Sequence, residues 1–425
     1  MAVLPCKKDK EKIMRRRVVI TGLGTVNPLG NSVKATWEGV LEGRCGIGPI
    51  THFDTTDFKV KLAGEVKDFN AEEILGAKEA KRMDTYTKFA MAAAKEAMED
   101  ADFDMEKEDT TRIGCIVSSG IGGLTTIAEE HTKGEERGYS KISPFFIPMS
   151  ISNMAAGQIA IAYGLKGMCS CVVTACASSN NAIGDAFHRI RDGYEDAMVC
   201  GGSEGVVMPL AIAGFQSMKA LCTSEDPSRA SIPFDKERHG FVMGEGAGIL
   251  VLEEYEHAKK RNAKIYGEIV GYGANCDAYH ITAPNPEGEG GAKCMSLAIE
   301  DAGMKPEDID YINAHGTSTS LNDAGETLAI KKAFGNHATE LMVSSTKAMT
   351  GHLLGGAGAV EAIITTLALK EGFVPATINY REPDEACDLD IVPNSGRKVE
   401  IKAALSNALG FGGHNASIVL KKYEA

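Results

Sequence analysis

The sequence has no long hydrophobic run. None of its apolar stretches approaches the roughly 18 residues needed to cross a bilayer, and the N-terminus has no apolar signal-peptide core. We therefore expect a soluble, cytoplasmic protein with no membrane partner. The Lys/Arg-rich start of the chain, residues 1–14, is expected to be a flexible leader outside the fold.

The sequence also has fewer positively charged than negatively charged residues. The 45 Lys and Arg residues face 58 Asp and Glu residues, which gives a formal net charge of −13. Such a surface repels polyanions, so nucleic acid is not expected as a partner, and an acidic protein partner needs a local basic patch. Because 44% of the 425 residues are hydrophobic, the chain can bury a large core in two domains or one duplicated unit.

A disulfide framework is absent as well. The 11 cysteines have no regular spacing, and their odd number favours a reducing compartment over a fully paired secreted protein. Cys169, Cys171 and Cys176 lie close together, but they match no paired C-x-x-C pattern and no nearby histidine completes a zinc site. For Cys200 and Cys294 we expect the ordinary role of a small buried hydrophobe.

Short buried-strand patterns alternate with helical patterns along the chain. The first series of strands is predicted at 17–24, 112–119, 170–174, 196–201 and 248–253, with helices at 85–100 and directly after Cys176. The second series has strands at 266–273, 309–313, 341–345, 403–408 and 416–420 and helices at 291–302 and 353–370. This order predicts an α/β fold of two related halves, 15–264 and 265–425, although identity between the halves is too weak to prove duplication.

Cys176 is the strongest candidate nucleophile. The apolar, β-branched run Val172-Val173-Thr174 precedes it, and an amphipathic helix pattern follows at once. This order predicts a strand-to-helix turn, where unpaired backbone N–H groups and the helix dipole are expected to lower the pKa of the thiol.

Two histidines follow predicted strands in the second half. His315 comes after the strand at 309–313, and His352 follows the strand at 341–345 and opens a glycine-rich helix. Side chains at such strand ends project into the cleft of an α/β sheet. Cys176, His315 and His352 are therefore predicted to converge on one pocket. His280 and His414 stay ambiguous because they flank loops near that cleft.

Together these segments resemble the β-ketoacyl-acyl carrier protein synthases of type II fatty acid synthesis, in the elongating type I/II group and closest to synthase II. The resemblance covers residues 16–422. Five motifs carry it in order: Thr174-Ala175-Cys176, Pro233 to Arg238 leading to Gly244–Gly248, Asn313 to Thr319, Lys347 to His352, and Gly410 to Gly413. It implies the thiolase fold, with duplicated βαβαβαββ halves in a five-layer αβαβα arrangement, and a homodimer.

The resemblance also implies an acyltransferase that performs a decarboxylating Claisen condensation. Cys176 takes an acyl group from acyl carrier protein (ACP), malonyl-ACP loses carbon dioxide, and the carbanion attacks the acyl-cysteine. A thiolate suits thioester exchange, and His315 and His352 would donate hydrogen bonds to the enolate oxygen. The backbone N–H groups of Cys176 and Phe411 would hold the acyl oxyanion. Lys347 would be a buried organising cation, with a surface salt bridge as its alternative.

Binding roles follow from the resemblance in the same way. Thr317 and Thr319 would hydrogen-bond the phosphopantetheine arm of ACP, or alternatively only fasten their turn. Ile121 would form the floor of the acyl pocket and Phe411 its gate, which favours medium-to-long saturated acyl chains. No cofactor is implied for catalysis.

Two larger sets are implied as well. A structural Na+ or K+ would be bound by Asn313, Ala314, Glu361, Ser406 and Asn407. A buried ion pair between Glu361 and Lys347 is a competing reading that is compatible with this cation site. The basic surface that docks acidic ACP would consist of Lys78, Lys81, Arg82, Lys141 and Lys219.

Three other functions stay open. A type II polyketide ketosynthase uses the same Cys-His-His set. A thiolase would need a second catalytic cysteine, for which only Cys294 and Cys387 are candidates, and a non-catalytic chain-length factor generally lacks the nucleophile that Cys176 provides. Ala177-Ser178-Ser179, Ser320 and His414 depart from the commoner family residues, which bears on substrate preference and removes no catalytic group.

Overall fold

The computed structural model describes residues 15–424, so the leader predicted at 1–14 lies outside the described residues. The strands are β1 Val18–Val26, β2 Gly48–Pro49, β3 Leu62–Ala63, β4 Ile113–Ser118, β5 Cys169–Ser170, β6 Ala197–Glu204, β7 Gly246–Glu254, β8 Gly267–Cys276, β9 Tyr311–Asn313, β10 Met342–Ser344, β11 Phe373–Val374, β12 Arg397–Lys398, β13 Ala403–Gly410 and β14 His414–Lys421. The helices are α1 Val33–Glu42, α2 Ala71–Leu75, α3 Ala77–Ala80, α4 Thr85–Ala101, α5 Leu124–Arg137, α6 Phe146–Ser150, α7 Met154–Tyr163, α8 Ser178–Arg191, α9 Pro209–Ser217, α10 Tyr255–Lys260, α11 Glu289–Asp301, α12 Ser320–Phe334, α13 Lys347–Thr350 and α14 Ala357–Glu371.

Ten strands form one continuous sheet in the order β10-β9-β13-β14-β8-β1-β7-β6-β4-β5. Each half contributes five of them, and both halves have the same pattern. In the first half β5, β4 and β6 are parallel while β7 and β1 are antiparallel; in the second half β10, β9 and β13 are parallel while β14 and β8 are antiparallel. The halves join where β1 pairs with β8. This repeated topology shows that the two halves share one fold, and so supports the duplication that residue identity could not prove.

The helices complete a five-layer arrangement. One core cluster packs α4 and α7 against the first-half strands, a second packs α11 and α12 against the second-half strands, and a third lies between the halves around α8 and α14. Helix α14 is buried on nearly every side, as its run of Ala, Val, Ile and Leu requires. The predicted α/β fold in two halves is therefore confirmed, whereas the boundary at residues 264 and 265 stays a prediction.

The strand predicted before Cys176 is wrong in its extent. Strand β5 ends at Ser170, after pairing with only two residues of β4. Val172 instead donates its N–H to Ser118 Oγ at 3.1 Å, and the Val173 side chain is 54% exposed. The β-branched run therefore forms an irregular segment at the sheet edge, because no further strand lies there to pair with it.

Other predictions of burial agree with the structure. Cys200 and Cys294 are both fully buried. Every cysteine within residues 15–424 is a free thiol. Over the same range, no helix combines the length and the hydropathy that a membrane span requires.

Candidate active site

The turn that carries Cys176 is built by its immediate neighbours. Ala175 adopts a φ of 52°, in the left-handed region that a non-glycine residue seldom occupies. A single 3₁₀ turn, Ala175–Ala177, then leads into α8. Ser178 fixes this geometry, because its Oγ accepts from Thr174 N at 2.9 Å and donates to the Ala175 carbonyl at 2.6 Å. The sulfur is thereby presented at the start of α8.

The end of β13 packs directly against this turn at Gly410. A Cβ atom there would lie 2.7 Å from the Thr174 carbonyl oxygen and 3.2 Å from the Cys176 nitrogen. Only glycine allows so close an approach. It brings Phe411, the next residue, to the cysteine.

A cavity of 340 Å³ opens in front of the thiol and is lined by both predicted histidines. The predicted residues that line it are Cys176, His315, Thr317, Thr319, His352, Phe411 and Lys219. Residues separated by more than two hundred positions in sequence are thus brought to one place. The cavity also reaches the loop after β8, through Asp277 and Thr282–Pro284.

The two histidine rings face each other at nearly right angles. Their centroids are 5.1 Å apart with an interplanar angle of 86°, and each residue is only 3% exposed. Burial and the Lys347 charge hold the pKa of both rings well below its ordinary value. Both imidazoles are therefore neutral at physiological pH, and each can donate one N–H.

Lys347 lies beneath the histidines as half of a buried ion pair. Its Nζ is 2.5 Å from Glu361 Oε1, and the two side chains are 1% and 3% exposed. The surface salt bridge considered for Lys347 is therefore wrong, and the buried pair is confirmed. Burial raises the pKa of Glu361 to about 7, and the Lys347 charge opposes that rise.

The expected low pKa of the Cys176 thiol is wrong. Burial raises its pKa to about 12, and the nearby Glu204 carboxylate adds to the rise. The Lys347 charge and the backbone N–H groups of Phe411 and Cys176 lower the pKa of the thiol. Their combined effect is smaller than the rise caused by removing the sulfur from water. The resting nucleophile is a neutral thiol that must lose its proton as it reacts.

Comparison with known proteins agrees with this geometry. Residues 15–258 match the β-ketoacyl synthase N-terminal domain and residues 266–381 the β-ketoacyl synthase C-terminal domain. The chain belongs to the β-ketoacyl synthase family. Its fold is accordingly the thiolase fold, and the resemblance read from the five motifs is confirmed.

Individual relatives cover nearly the whole β-ketoacyl synthase chain. It is 53% identical over 411 residues to 3-oxoacyl-[acyl-carrier-protein] synthase 2 of Synechocystis sp., covering 96% of this chain and 99% of the relative. It is 52% identical over 410 residues to the protein of the same name from Staphylococcus aureus, with the same coverage. A solved structure of a type II PKS acyl-carrier protein in complex with its ketosynthase bound to the hexaketide superposes with a TM-score of 0.89 at 36% identity, covering 96% of this chain and 100% of that one.

The synthase's predicted binding residues occupy distinct places. Thr317 and Thr319 lie at the cavity with their hydroxyl oxygens 2.9 Å apart. Ile121 does not line that cavity; it packs instead in the apolar cluster that contains Cys176. Phe411 lines the cavity, and the centre of its ring lies 6.3 Å from that of Phe215; its role as a gate stays a prediction.

Two of the predicted cation ligands, Asn313 and Ser406, are paired across β9 and β13. Four buried atoms, Asn313 Oδ1 and Nδ2, Ser406 Oγ and Glu361 Oε2, have no hydrogen-bond partner among residues 15–424. The Asn407 side chain is already engaged, because it bonds Glu326 and Ser417, so Asn407 and Ala314 offer only carbonyl oxygens. Unpartnered oxygens with a single carboxylate fit a monovalent cation better than a divalent one.

The five predicted dock residues are all exposed. Lys219 lines the mouth of the cavity, and the Arg82 guanidinium lies 4.7 Å from the ring centre of Phe145. Lys78 and Lys81 flank the same short segment as Arg82, and Lys141 lies four residues before Phe145.

Sequence reasoning missed four residues that shape this site. Glu326 accepts the His315 and Gly316 N–H groups, both at 2.8 Å. Phe241 packs edge-on against His352, with centroids 5.3 Å apart, and Phe215 contacts Phe411. Glu204 is fully buried at the end of β6. The available signal for Glu204 was a carboxylate at the end of a buried strand, two residues after Gly202.

Proposed function

We propose that the chain is a 3-oxoacyl-[acyl-carrier-protein] synthase of the synthase 2 kind, which elongates acyl chains by decarboxylating condensation of malonyl-ACP with acyl-ACP. The observation that carries this proposal is the meeting of Cys176, His315 and His352 around one cavity. Relatives of that name that are more than 50% identical over nearly the full chain support it.

The first half-reaction transfers the acyl group to Cys176. The sulfur attacks the thioester carbonyl, a new carbon–sulfur bond forms, and the bond to the phosphopantetheine sulfur breaks. The thiol proton leaves during the attack, and a neutral histidine in the cavity can accept it and return it to the departing thiol. The N–H groups of Cys176 and Phe411, which already face the sulfur, would stabilise the oxyanion.

The second half-reaction forms the carbon–carbon bond. Malonyl-ACP loses carbon dioxide, and the electron pair moves onto its thioester carbonyl to give an enolate. Neutral His315 and His352 would each donate an N–H to that oxygen, and the Lys347 charge beneath them favours the developing negative charge. The enolate carbon then attacks the acyl-cysteine carbonyl and the Cys176 sulfur leaves, so the enzyme returns to its starting state.

ACP is the proposed protein partner. Lys219 at the cavity mouth and the exposed set Lys78, Lys81, Arg82 and Lys141 would bind its acidic surface. Thr317 and Thr319 would hold the phosphopantetheine arm that reaches the thiol. A bound Na+ or K+ would be held by Asn313, Ala314, Glu361, Ser406 and Asn407, and it would fix β9 beside His315.

The proposed assembly is a homodimer formed at the β5 edge of the sheet. β5 ends the strand order, so within residues 15–424 its outer backbone groups have no strand to pair with. Two large apolar side chains beside it are exposed, at 74% for Ile161 on α7 and 54% for Val173 in the segment that follows β5. A second copy of this chain would cover them.

A type II polyketide ketosynthase is the second candidate, favoured by the likeness to a solved ketosynthase of that class. A carrier-protein elongation assay across acyl lengths decides between them. Elongation of saturated acyl-ACP by one malonyl unit, absent in Cys176→Ala, supports the proposal. Turnover only with polyketide starters and their carrier protein favours the second candidate, and turnover by Cys176→Ala equal to the unmodified enzyme contradicts both.

A further inference from the structure

Glu204 is a buried carboxylate that the mechanism above does not use. Its Oε1 accepts from Ser119 Oγ at 2.7 Å and Ile121 N at 3.3 Å. Its Oε2 accepts from Gly120 N at 2.9 Å and Gly355 N at 3.0 Å. Burial raises the pKa of Glu204 to about 7, although these donors oppose the rise. Each oxygen thus accepts two hydrogen bonds, and the four donors come from two separate segments of the chain.

These donors belong to the floor loop, residues 119–123, and to the turn that follows His352, residues 353–356. The two segments touch, since a Cβ on Gly355 would lie 2.2 Å from Gly120 N. The floor loop also meets the nucleophile turn, because a Cβ on Gly120 would lie 3.3 Å from the Ala175 carbonyl oxygen. The Glu204 carboxylate therefore lies where the floor loop, the nucleophile turn and the His352 turn come together.

The floor loop carries Ile121, which packs in the apolar cluster beside Cys176 and Leu354. The family resemblance gives Ile121 as the floor of the acyl pocket, so the length of acyl chain that fits on Cys176 would depend on how far this side chain lies from the sulfur. The Ile121 backbone is held by the Glu204 Oε1 hydrogen bond. Gly122 N is held in turn by Ser119 Oγ at 2.9 Å, the same hydroxyl that donates to Glu204.

We infer that Glu204 is a positioning residue that fixes the floor of the acyl pocket relative to Cys176 and thereby limits the length of acyl chain accepted. This inference rests on the proposed function, since it assigns a specificity role within the same site. It concerns the position of a loop. The Glu204 charge also raises the pKa of Cys176, but that effect acts on acyl chains of every length alike and cancels in a ratio between two chain lengths.

Glu204→Gln tests the role with little change in shape. The glutamine oxygen can take the Oε2 position and keep both glycine N–H bonds, which places its NH₂ group toward Ser119 and Ile121. The Ser119 hydroxyl can rotate to accept a hydrogen bond, but the Ile121 N–H cannot. The variant therefore loses the hydrogen bond that holds Ile121, while the bonds from Gly120 and Gly355 remain.

The assay compares kcat/KM for tetradecanoyl-ACP with kcat/KM for hexanoyl-ACP. We expect this ratio to rise about fivefold in Glu204→Gln, the size expected for losing one neutral hydrogen bond, because the freed Ile121 yields more easily to a long chain. Malonyl-ACP decarboxylation, which does not use the acyl pocket, should stay close to that of the unmodified enzyme.

Glu253→Gln is the matched control. Glu253 is also a fully buried carboxylate on the same sheet, but it accepts from Arg261 and His257. The ratio of kcat/KM for tetradecanoyl-ACP to kcat/KM for hexanoyl-ACP in Glu253→Gln should equal that of the unmodified enzyme. Ser119→Ala, which removes the hydroxyl shared by Glu204 and Gly122, should shift the ratio in the same direction as Glu204→Gln and decides the matter if Glu204→Gln does not fold.

An unchanged ratio in folded Glu204→Gln, or an equal shift in Glu253→Gln, overturns the inference. Failure of the proposed function has a different signature, because the unmodified enzyme would then elongate neither acyl-ACP.

Discussion

At the scale of single residues, burial governs the reactivity of the site more than the helix dipole does. The Cys176 thiol has a pKa of about 12, so its thiolate fraction should grow tenfold with each pH unit between pH 7 and 10. We expect the rate of iodoacetamide modification at Cys176 to rise in that proportion, measured by mass spectrometry of the Cys176 peptide. A free small thiol levels off above its pKa of about 8.5 and serves as the control. A plateau at Cys176 below pH 9 would contradict the assigned pKa.

Losing one histidine should slow the second half-reaction more than the first. We expect His315→Ala and His352→Ala to slow malonyl-ACP decarboxylation about 100-fold to 1000-fold, the usual cost of losing an oxyanion donor. Acyl transfer to Cys176 should persist, because the remaining imidazole can still accept the thiol proton, and it should be visible as acyl-enzyme by mass spectrometry. Because burial lowers the pKa of both rings, they stay neutral from pH 8 to 6, and decarboxylation should not fall over that range through histidine protonation. His188→Ala, on a partly exposed histidine paired with Asp301, is the control; full decarboxylation in either active-site variant refutes the role.

At the scale of elements, the sequence predicted buried strands well and edges poorly. The strands predicted at 17–24, 112–119 and 248–253 match β1, β4 and β7 within about two residues. A dense apolar run of this length is stable mainly as a strand that is buried on both faces. The prediction of a strand at 170–174 was wrong in its extent, because the extent of an edge strand depends on which strands lie beside it, and that is a tertiary property. The convergence of Cys176, His315 and His352 was predictable from strand ends, whereas the contacts of Glu204 and Glu326 were not. Glu204 accepts mainly from backbone groups of distant loops, and Glu326 accepts from the backbone of His315 and Gly316, which depends on how the turn after β9 folds.

The ion pair between α13 and α14 is the element-scale interaction most open to test. We expect Lys347→Met to lower the free energy of unfolding by about 3–5 kcal/mol, because it leaves Glu361 buried without its partner. Lys347→Met combined with Glu361→Gln should recover most of that loss, since both charges are then gone, yet condensation should stay impaired because the positive charge beneath the histidines is missing. Urea unfolding with the elongation assay measures both.

Lys107→Met is the control for the ion pair, because it removes an exposed partner of Asp104 and should leave unfolding unchanged. Strictly additive losses in the double variant would show that Lys347 and Glu361 are not energetically coupled. Recovered stability together with recovered condensation would show that the Lys347 charge has no part in the reaction.

At the scale of the whole molecule, the repeated half-sheets leave two ends with different surroundings. β10 at one end is flanked by α13 and the 377–393 segment, whose Asp390 carbonyl accepts the Val343 N–H at 2.8 Å. β5 at the other end is followed by an irregular segment, and α7, which packs beside β5, carries the exposed apolar side chain of Ile161. An uncovered apolar edge of this kind favours self-association.

Ile161→Asp should therefore separate the proposed homodimer into monomers. Ile161 is 74% exposed on α7, so the substitution costs little within one copy, but a carboxylate buried at an interface is costly unless a cation pairs with it. Sedimentation velocity across a range of protein concentrations measures the outcome, and Leu41→Asp, on an exposed position of α1, is the control that should leave assembly unchanged. An Ile161→Asp protein that sediments as a dimer at the same concentrations as the unmodified chain would place the interface elsewhere, since the most exposed apolar side chain of the β5 edge would then have no part in it.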